Sequence, residues 1–526
     1  MREYTPENIT DVVVEQMSTT PDPRMKEIME AAVRHLHAFA RDVKLTPAEW
    51  IKGIEFMTKV GQMCTPARQE FILLSDTVGL SALVNIMHDK TKMEEATSAS
   101  LLGPFFRENT PRFERGAQIA KKTDGSEVVL VDLDEERLGL IRTLAEKMAR
   151  ARGLDIAVTA TTDRRAALED CDAVLSSFRP GGFAARVHDE RIPLEHGLIG
   201  QETQGAGGFF MALRAIAVLK DVCAEMEELC PDAWIFNYTN PVNIVAEAVT
   251  HHSPVKIVSL CEGPIYFRDE IASSAGLDPD VLQVTMVGLN HACWGVEHDY
   301  GGRDPLPLIE QAWERRRDDP TLEPHLHRQL RLAAAMGAVP ADYFQYYYFT
   351  DDVLAELRAK PTTRAEDILS WSPDYWRHYE EQAQTDDPQL DPGRSRGGIH
   401  ELELAIDVMD AIFNDKGETH PVNMPNTGGA LPGFPEDLVV EVLGRCHGGG
   451  IDVIPAKPLP RHVRGLVEML GEYQALAAET AWSGTRADGI RALSANPLVR
   501  QVEVAERVYD ALAAAHRGHL PERLVA

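Results

Sequence analysis

Hydrophobic positions divide the chain into two textures that meet near residue 126. Before it, apolar residues recur at helical spacing. In MKEIMEAAVRHLHAFARDV, the positions Met25, Ile28, Met29, Ala32, Val33, Leu36 and Phe39 share one helical stripe. TPAEWIKGIEFMTKVGQM opens on a cap signal, Thr46 with Pro47 and Glu49 behind it, and then carries Ile51, Ile54, Met57 and Val60 at helical spacing. A third helix is expected through PARQEFILLSDTVGLSALVNIMH. From Thr97 to Asp124 the pattern breaks down among Gly103-Pro104, Pro111 and Gly116.

After the junction, short apolar runs alternate with helical segments. VVLVD, IAVTATTD, AVLSSF, WIFNYT, VKIVSLC and VTMVGLN are separated by stretches such as EERLGLIRTLAEKMARA and FFMALRAIAVLKDVCAEMEEL. This alternation predicts a mostly parallel sheet with helices on both faces, and such sheets bind ligands at the carboxyl ends of their strands. From about 305 the chain reads as mainly helical, with turns near 391–398 and 425–435 and one strand at DLVVEVL. A chain of 526 residues exceeds a single core. Three domains are expected: a helical one over 1–125, an α/β one over 126–295 and an α+β one over 296–526.

Composition narrows the partners more than the fold. Hydrophobic content of 44% with 26% charged residues is ordinary for a globular protein. A net charge of −29 argues against nucleic acid and anionic membrane as partners, while a locally basic cleft can still hold a small anionic substrate. The seven cysteines contain no CxxC pair and fit reduced thiols in a cytoplasmic protein. MREYTPENIT lacks the basic-then-apolar pattern of a secretory signal, and no apolar run is long enough for a membrane span.

Candidate chemistry gathers at the strand ends. AVLSSF runs into Arg179-Pro180-Gly181-Gly182 and then Arg186 and Asp189, WIFNYT into Asn240-Pro241, VKIVSL into Cys261, and VTMVGL into Asn290-His291. Singly, the cysteine reads as core and the histidine as structural. Together, independent strands deliver metal-capable groups to one edge. A Cys and a His suit Mn, Fe, Co, Ni or Zn, and two protein ligands leave positions open for substrate oxygens.

FRPGGFAARVHDERIPLEHGLIGQETQGAGGFFMALRAI, NYTNPVNIV, SLCEGPI and GLNHACW resemble motifs of glycoside hydrolase family four in order and spacing. ADYFQYYYFTDDVL and RSRGGIHELELAIDVM are similar to its later motifs, and the resemblance, over roughly 127–515, is to the 6-phospho-β-glucosidase branch. It implies a Rossmann-like domain followed by an α+β domain of the lactate-dehydrogenase type. It also implies NAD and a divalent metal, manganese foremost, as cofactors, and a homodimer or homotetramer as the assembly. The family's chemistry is oxidation at sugar C3, loss of the C2 proton with elimination of the aglycone, addition of water and return of the hydride, an exception among glycosidases. Carried over by motif, Cys261 and His291 match the metal ligands, Tyr343 the base and Asn240 a sugar contact. Arg186 and Arg364 match positions near a substrate phosphate, and Asp132 and Arg179 the cofactor side. Asp132 also reads as a helix cap. Glu262 stands where the family has Asn or His, and a carboxylate there opposes a phosphate.

Family members begin with a strand running into a Gly-Gly-Gly-Ser loop that cradles the NAD pyrophosphate, and no such unit precedes Val128. The glycines of QETQGAGG and HGGGID read as turns. In place of that unit, residues 1–125 resemble the N-terminal helical domain of intradiol dioxygenases of the hydroxyquinol 1,2-dioxygenase type, which builds a dimer interface. That family's iron-binding β-domain has no counterpart here, so His35 and His37 read as helix-surface residues. Besides the glycosidase, two other functions follow from the junction: a fusion product that binds metal and sugar phosphate without turnover, and an intradiol dioxygenase deprived of its iron ligands.

Overall fold

The structure is a computed structural model that describes residues 4–64, 70–78, 80, 83–84, 126–394 and 402–525. The predicted breaks between Thr97 and Asp124 and the opening of RSRGGIH after Arg394 lie outside the described residues. Contacts divide the chain into two units, Met1–Lys121 and Lys122–Ala526.

The first unit carries helices Ile9–Gln16, Pro23–Asp42, Pro47–Gln62 and Glu70–Thr77. Asp22 caps the second of these by accepting from the Arg24 and Met25 amides, and the expected Thr46–Glu49 capping box forms at the third. The predicted stripe is on the surface of this unit: Met25, Ile28, Met29, Leu36 and Phe39 are all exposed. His35 is exposed, and His37 Nδ1 lies 3.0 Å from Thr10 Oγ1.

The second unit has ten strands among its described residues. They are β1 (Ser126–Val131), β2 (Ile156–Thr161), β3 (Ala173–Ser176), β4 (Trp234–Asn237), β5 (Lys256–Ser259), β6 (Leu282–Leu289), β7 (Ala292–Tyr300), β8 (Glu418–Pro425), β9 (Val439–His447) and β10 (Gly450–Val453). The six runs predicted from hydrophobicity are β1 to β6, and DLVVEVL opens into β9. One sheet follows the order β3-β4-β5-β8-β9-β6-β7, with β10 paired to β9. Because β8 and β9 enter between β5 and β6, residues 126–295 and 296–526 share this sheet. Helix Gly205–Leu229 lies at the centre of the core, with Phe209, Phe210, Leu213 and Ile216 fully buried. Its Arg214 forks onto Asp189 at 2.9 and 2.6 Å, and His516 Nε2 lies 2.9 Å from the same carboxylate, so a histidine from a third element joins the buried Arg–Asp pair.

β1 and β2 stand apart as a two-stranded parallel sheet. Parallel sheets are normally covered on both faces, yet Val128, Val129 and Val131 are 43%, 36% and 43% exposed. Among the described residues, β1 pairs only with β2 and β3 only with β4, which leaves each with one open edge. Helices hold the small sheet in place. Lys147 on Glu135–Ala151 donates to Ala383 O at 2.7 Å, Arg137 lies 4.7 Å over Trp376, and Arg164 forks onto Glu225 at 2.6 and 2.8 Å. The fold is therefore α/β: an incomplete Rossmann-like sheet joined to an α+β part and preceded by a helical segment.

Candidate metal centre and sugar cavity

Two strand ends build the centre. β5 stops at Ser259, two residues before Cys261. Leu289 pairs with Ala292, so Asn290 and His291 form the tight turn between β6 and β7, and His291 takes a left-handed φ of 61°. Cys261 Sγ then lies 3.7 Å from His291 Nε2. Two donors at that separation can both reach a single cation.

The protonation chemistry agrees with that spacing. Burial pushes the His291 imidazole down to about 4, which leaves it neutral near pH 7, the form that ligates. Thr203 Oγ1 lies 3.1 Å from Nδ1, so with the proton on Nδ1 the Nε2 lone pair faces Cys261. The Gly263 amide, at the start of helix Gly263–Ala275, donates to Cys261 Sγ at 3.3 Å. Burial and the Glu441 carboxylate nevertheless push the thiol up to about 12, and a bound cation is what would favour the thiolate. Asn240 Oδ1 is buried with no hydrogen-bond partner among the described residues, an unmet demand for a donor or cation. These groups fit a divalent metal.

The cavity here measures about 630 Å³, and its walls include Arg179, Glu202, Asn240, Cys261, His291 and Tyr343. The Tyr343 ring stacks on His291 with centroids 3.8 Å apart and planes 4° from parallel. Burial, then Asp342, Cys261 and other neighbours, hold its phenol well above the ordinary range. Beside it, burial and Glu270 push Asp342 up to about 7, and Asp342 Oδ1 has no hydrogen-bond partner among the described residues.

The remaining expected site residues are distributed unequally. Arg179 meets Glu202 at 2.6 Å in the cavity wall. Arg186 is buried behind it, paired with Glu190 at 2.6 Å and Glu202 at 2.8 Å. Glu262 lines the cavity and accepts from the Tyr238 hydroxyl at 2.8 Å. Asp132 sits exposed at the end of β1 and accepts from the Asp134 amide, while Asp134 is the residue that caps the next helix. Arg364 is exposed, 5.0 Å over Trp371. Neither Asp132 nor Arg364 is among the residues lining the cavity.

Glu202, Thr203 and Asp342 were not singled out from the sequence. The signal for the first two was nearby, in the glycines of QETQGAGG. A Cβ on Gly207 would sit 2.3 Å from Gln201 O, and one on Gly208 2.2 Å from Thr203 C. These glycines let the loop press onto helix Gly205–Leu229 and aim Thr203 at His291.

Comparison with known proteins bears on the same residues. The family model for Family 4 glycosyl hydrolase matches residues 115–277, that for its C-terminal domain 286–499, and that for the catechol dioxygenase N terminus 22–96. The probable 6-phospho-beta-glucosidase of Bacillus subtilis (strain 168) is 36% identical over 405 residues, covering 75% of this chain and 91% of the relative. The 6-phospho-beta-glucosidase of Escherichia coli (strain K12) is 32% identical over 416 residues, covering 75% and 90%. A crystal structure of a 6-phospho-alpha-glucosidase from gut microorganisms in complex with NAD and Mn2+ matches with a TM-score of 0.67 at 25% identity, over 75% of this chain and 92% of that one. These matches define a hydrolase that acts on glycosides. The chain belongs to glycoside hydrolase family four, and its N-terminal segment is similar to the start of a catechol dioxygenase.

Proposed function

We propose that the chain hydrolyses 6-phospho-β-glucosides with NAD and a divalent metal, manganese, as cofactors. The observation that carries this reading is the convergence of Cys261, His291, Tyr343 and Asn240 on one cavity, with the two metal-capable donors 3.7 Å apart. Bound NAD would supply reversible oxidation at sugar C3, and the metal would polarise the neighbouring oxygens. Cys261 and His291 hold the metal, and Thr203 keeps the imidazole turned so that Nε2 faces Cys261. Asn240 Oδ1 accepts from a sugar hydroxyl. Tyr343 Oη would take the C2 proton as the phenolate, a form that a cation held beside it by Cys261 and His291 would favour against the burial that raises the phenol, and the stack on His291 fixes its ring. Arg179 in the cavity wall, with Arg186 behind it, is the candidate partner for phosphate and cofactor, and Glu202 is shared between the two. Asp132, at the end of β1, serves the adenosine ribose, and Arg364 is left to a surface role.

Residues 126–295 are the cofactor half in this reading, and 296–526 supply the base. The exposed stripe of helix Pro23–Asp42 supports self-association as a homodimer or homotetramer, and the free cysteines support a reducing cytoplasm.

The open edges of β1 and β3 favour a second reading, a protein that binds metal and sugar phosphate without turnover. Losing two or three charge-assisted hydrogen bonds to the pyrophosphate would weaken NAD roughly a thousandfold. Titration with NAD and Mn2+, coupled to hydrolysis of p-nitrophenyl 6-phospho-β-glucoside under reducing conditions, separates the two. Turnover that needs both cofactors supports the first reading. Mn2+ binding without NAD binding supports the second, and turnover indifferent to NAD contradicts both.

A further inference from the structure

A row of polar side chains crosses the interior of the large sheet and ends at the metal pair. In register, Ser176 on β3 stands opposite Asn237 on β4, Asn237 opposite Ser259 on β5, Ser259 opposite Asn423 on β8, Asn423 opposite Glu441 on β9, and Glu441 opposite Gly288 on β6. Hydrogen bonds follow the same line, passing through the Ser259 backbone carbonyl between β5 and β8. Ser176 Oγ donates to Asn237 Oδ1 at 3.0 Å, and Asn237 Nδ2 donates to Ser259 Oγ at 2.8 Å. Asn423 Nδ2 donates to Ser259 O at 3.3 Å and to Glu441 Oε1 at 3.2 Å, and Asn290 Nδ2 donates to the same Oε1 at 3.3 Å. All six side chains are 5% exposed or less.

Burying this many polar groups costs stability that apolar side chains would not, so the row must contribute something besides packing. Its far end shows what. Asn290 is the first of the two residues in the turn between β6 and β7, so its backbone leads directly into His291 and the left-handed φ there. The residue that Glu441 holds is therefore the one next to a candidate ligand in the chain. The group that fixes the orientation of the Asn290 amide is Glu441.

We infer that Glu441 is a positioning residue for the metal centre, acting through Asn290 to hold the His291 turn at ligand spacing from Cys261. The inference rests on the metal reading above. Outer groups that orient ligands typically change metal affinity by about 10–100-fold when removed. Gln at 441 keeps an acceptor for both asparagine amides, whereas Leu removes it. Ser176, as buried as Glu441 but at the opposite end of the row, is the control for general loosening of the sheet.

The test measures Mn2+ affinity by electron paramagnetic resonance and, separately, the site-resolved rate of Cys261 alkylation by iodoacetamide in metal-free protein. Glu441→Gln should stay within about threefold of the parent in both, and Glu441→Leu should lose roughly 10–100-fold in affinity and shift the alkylation rate. Asn290→Ala, which cuts the link and keeps the carboxylate, should reproduce the Leu result, so the idea remains testable if the Leu variant does not fold. Ser176→Ala should leave both readouts unchanged. Parent-like values in Glu441→Leu or Asn290→Ala overturn the inference, and so does an equal loss in Ser176→Ala. If the parent chain binds no Mn2+, the proposed function fails while the alkylation rates still decide this point.

Discussion

Cys261, His291 and Tyr343 form a compact unit in which each group conditions the next. Because Tyr343 meets the candidate ligand His291 through its ring, its hydroxyl can be removed without changing that contact. Tyr343→Phe should reduce turnover at least a hundredfold while Mn2+ affinity stays within about threefold, and a fully active variant would remove Tyr343 from its role as base. Cys261→Ser replaces a soft donor by a hydroxyl and should weaken Mn2+ by more than tenfold in a direct titration. Asp342 gives a pH signature in the metal-free protein. Its carboxyl is raised from 3.8 to about 7, so the stability it contributes is complete below about pH 3.8 and is lost as pH rises through 7. Asp342→Asn escapes that loss, and its thermal stability relative to the parent should climb from pH 5 to pH 8 by roughly 1–3 kcal/mol. A pH-independent difference would mean the carboxyl is solvated. Cys261 and His291 were legible as candidates because each stands in a motif at a strand end, whereas Tyr343, on the short helical turn Asp342–Phe344, was named only through the family resemblance. Thr203, Asp342 and Glu441 were not legible, because their roles depend on partners distant in sequence, such as the 88 positions between Thr203 and His291.

At the scale of elements, the break between β1 and β3 governs how the cofactor half behaves. A two-stranded sheet with exposed valines has little core of its own, and such pairs are marginal in water. Amides of β1 and β2 should exchange with deuterium orders of magnitude faster than those of β4 and β5, which lie inside the large sheet. Equal protection would mean that something covers the open edges. Hydrophobic runs revealed β1 to β6 because those strands are short and apolar. β7 escaped because it is buried on both faces in its first half and alternates only in its second. β8 escaped because ETHPVNMP holds Pro421 and Pro425, which argue against a strand until the neighbours β5 and β9 enclose it.

For the molecule as a whole, the two textures of the sequence correspond to two units, with the contact boundary at Lys121–Lys122 close to the change in hydrophobic pattern. Every residue assigned to the metal centre, the base and the polar row belongs to the second unit. Cleavage of the chain at that boundary should leave Mn2+ affinity within about threefold, and a larger loss would show that the helical segment supports the site. How the C-terminal part joins the sheet was not legible, since inserting β8 and β9 between β5 and β6 leaves no local pattern. The central claim is that this centre performs glycoside hydrolysis with both NAD and a divalent metal. It is tested most directly by initial rates of p-nitrophenyl 6-phospho-β-glucoside hydrolysis across a matrix of NAD and Mn2+ concentrations. The account predicts no rate without either one and a rate with both that saturates only at roughly millimolar NAD. Hydrolysis that persists after NAD and metal are stripped, or none at any concentration of the two, would contradict it.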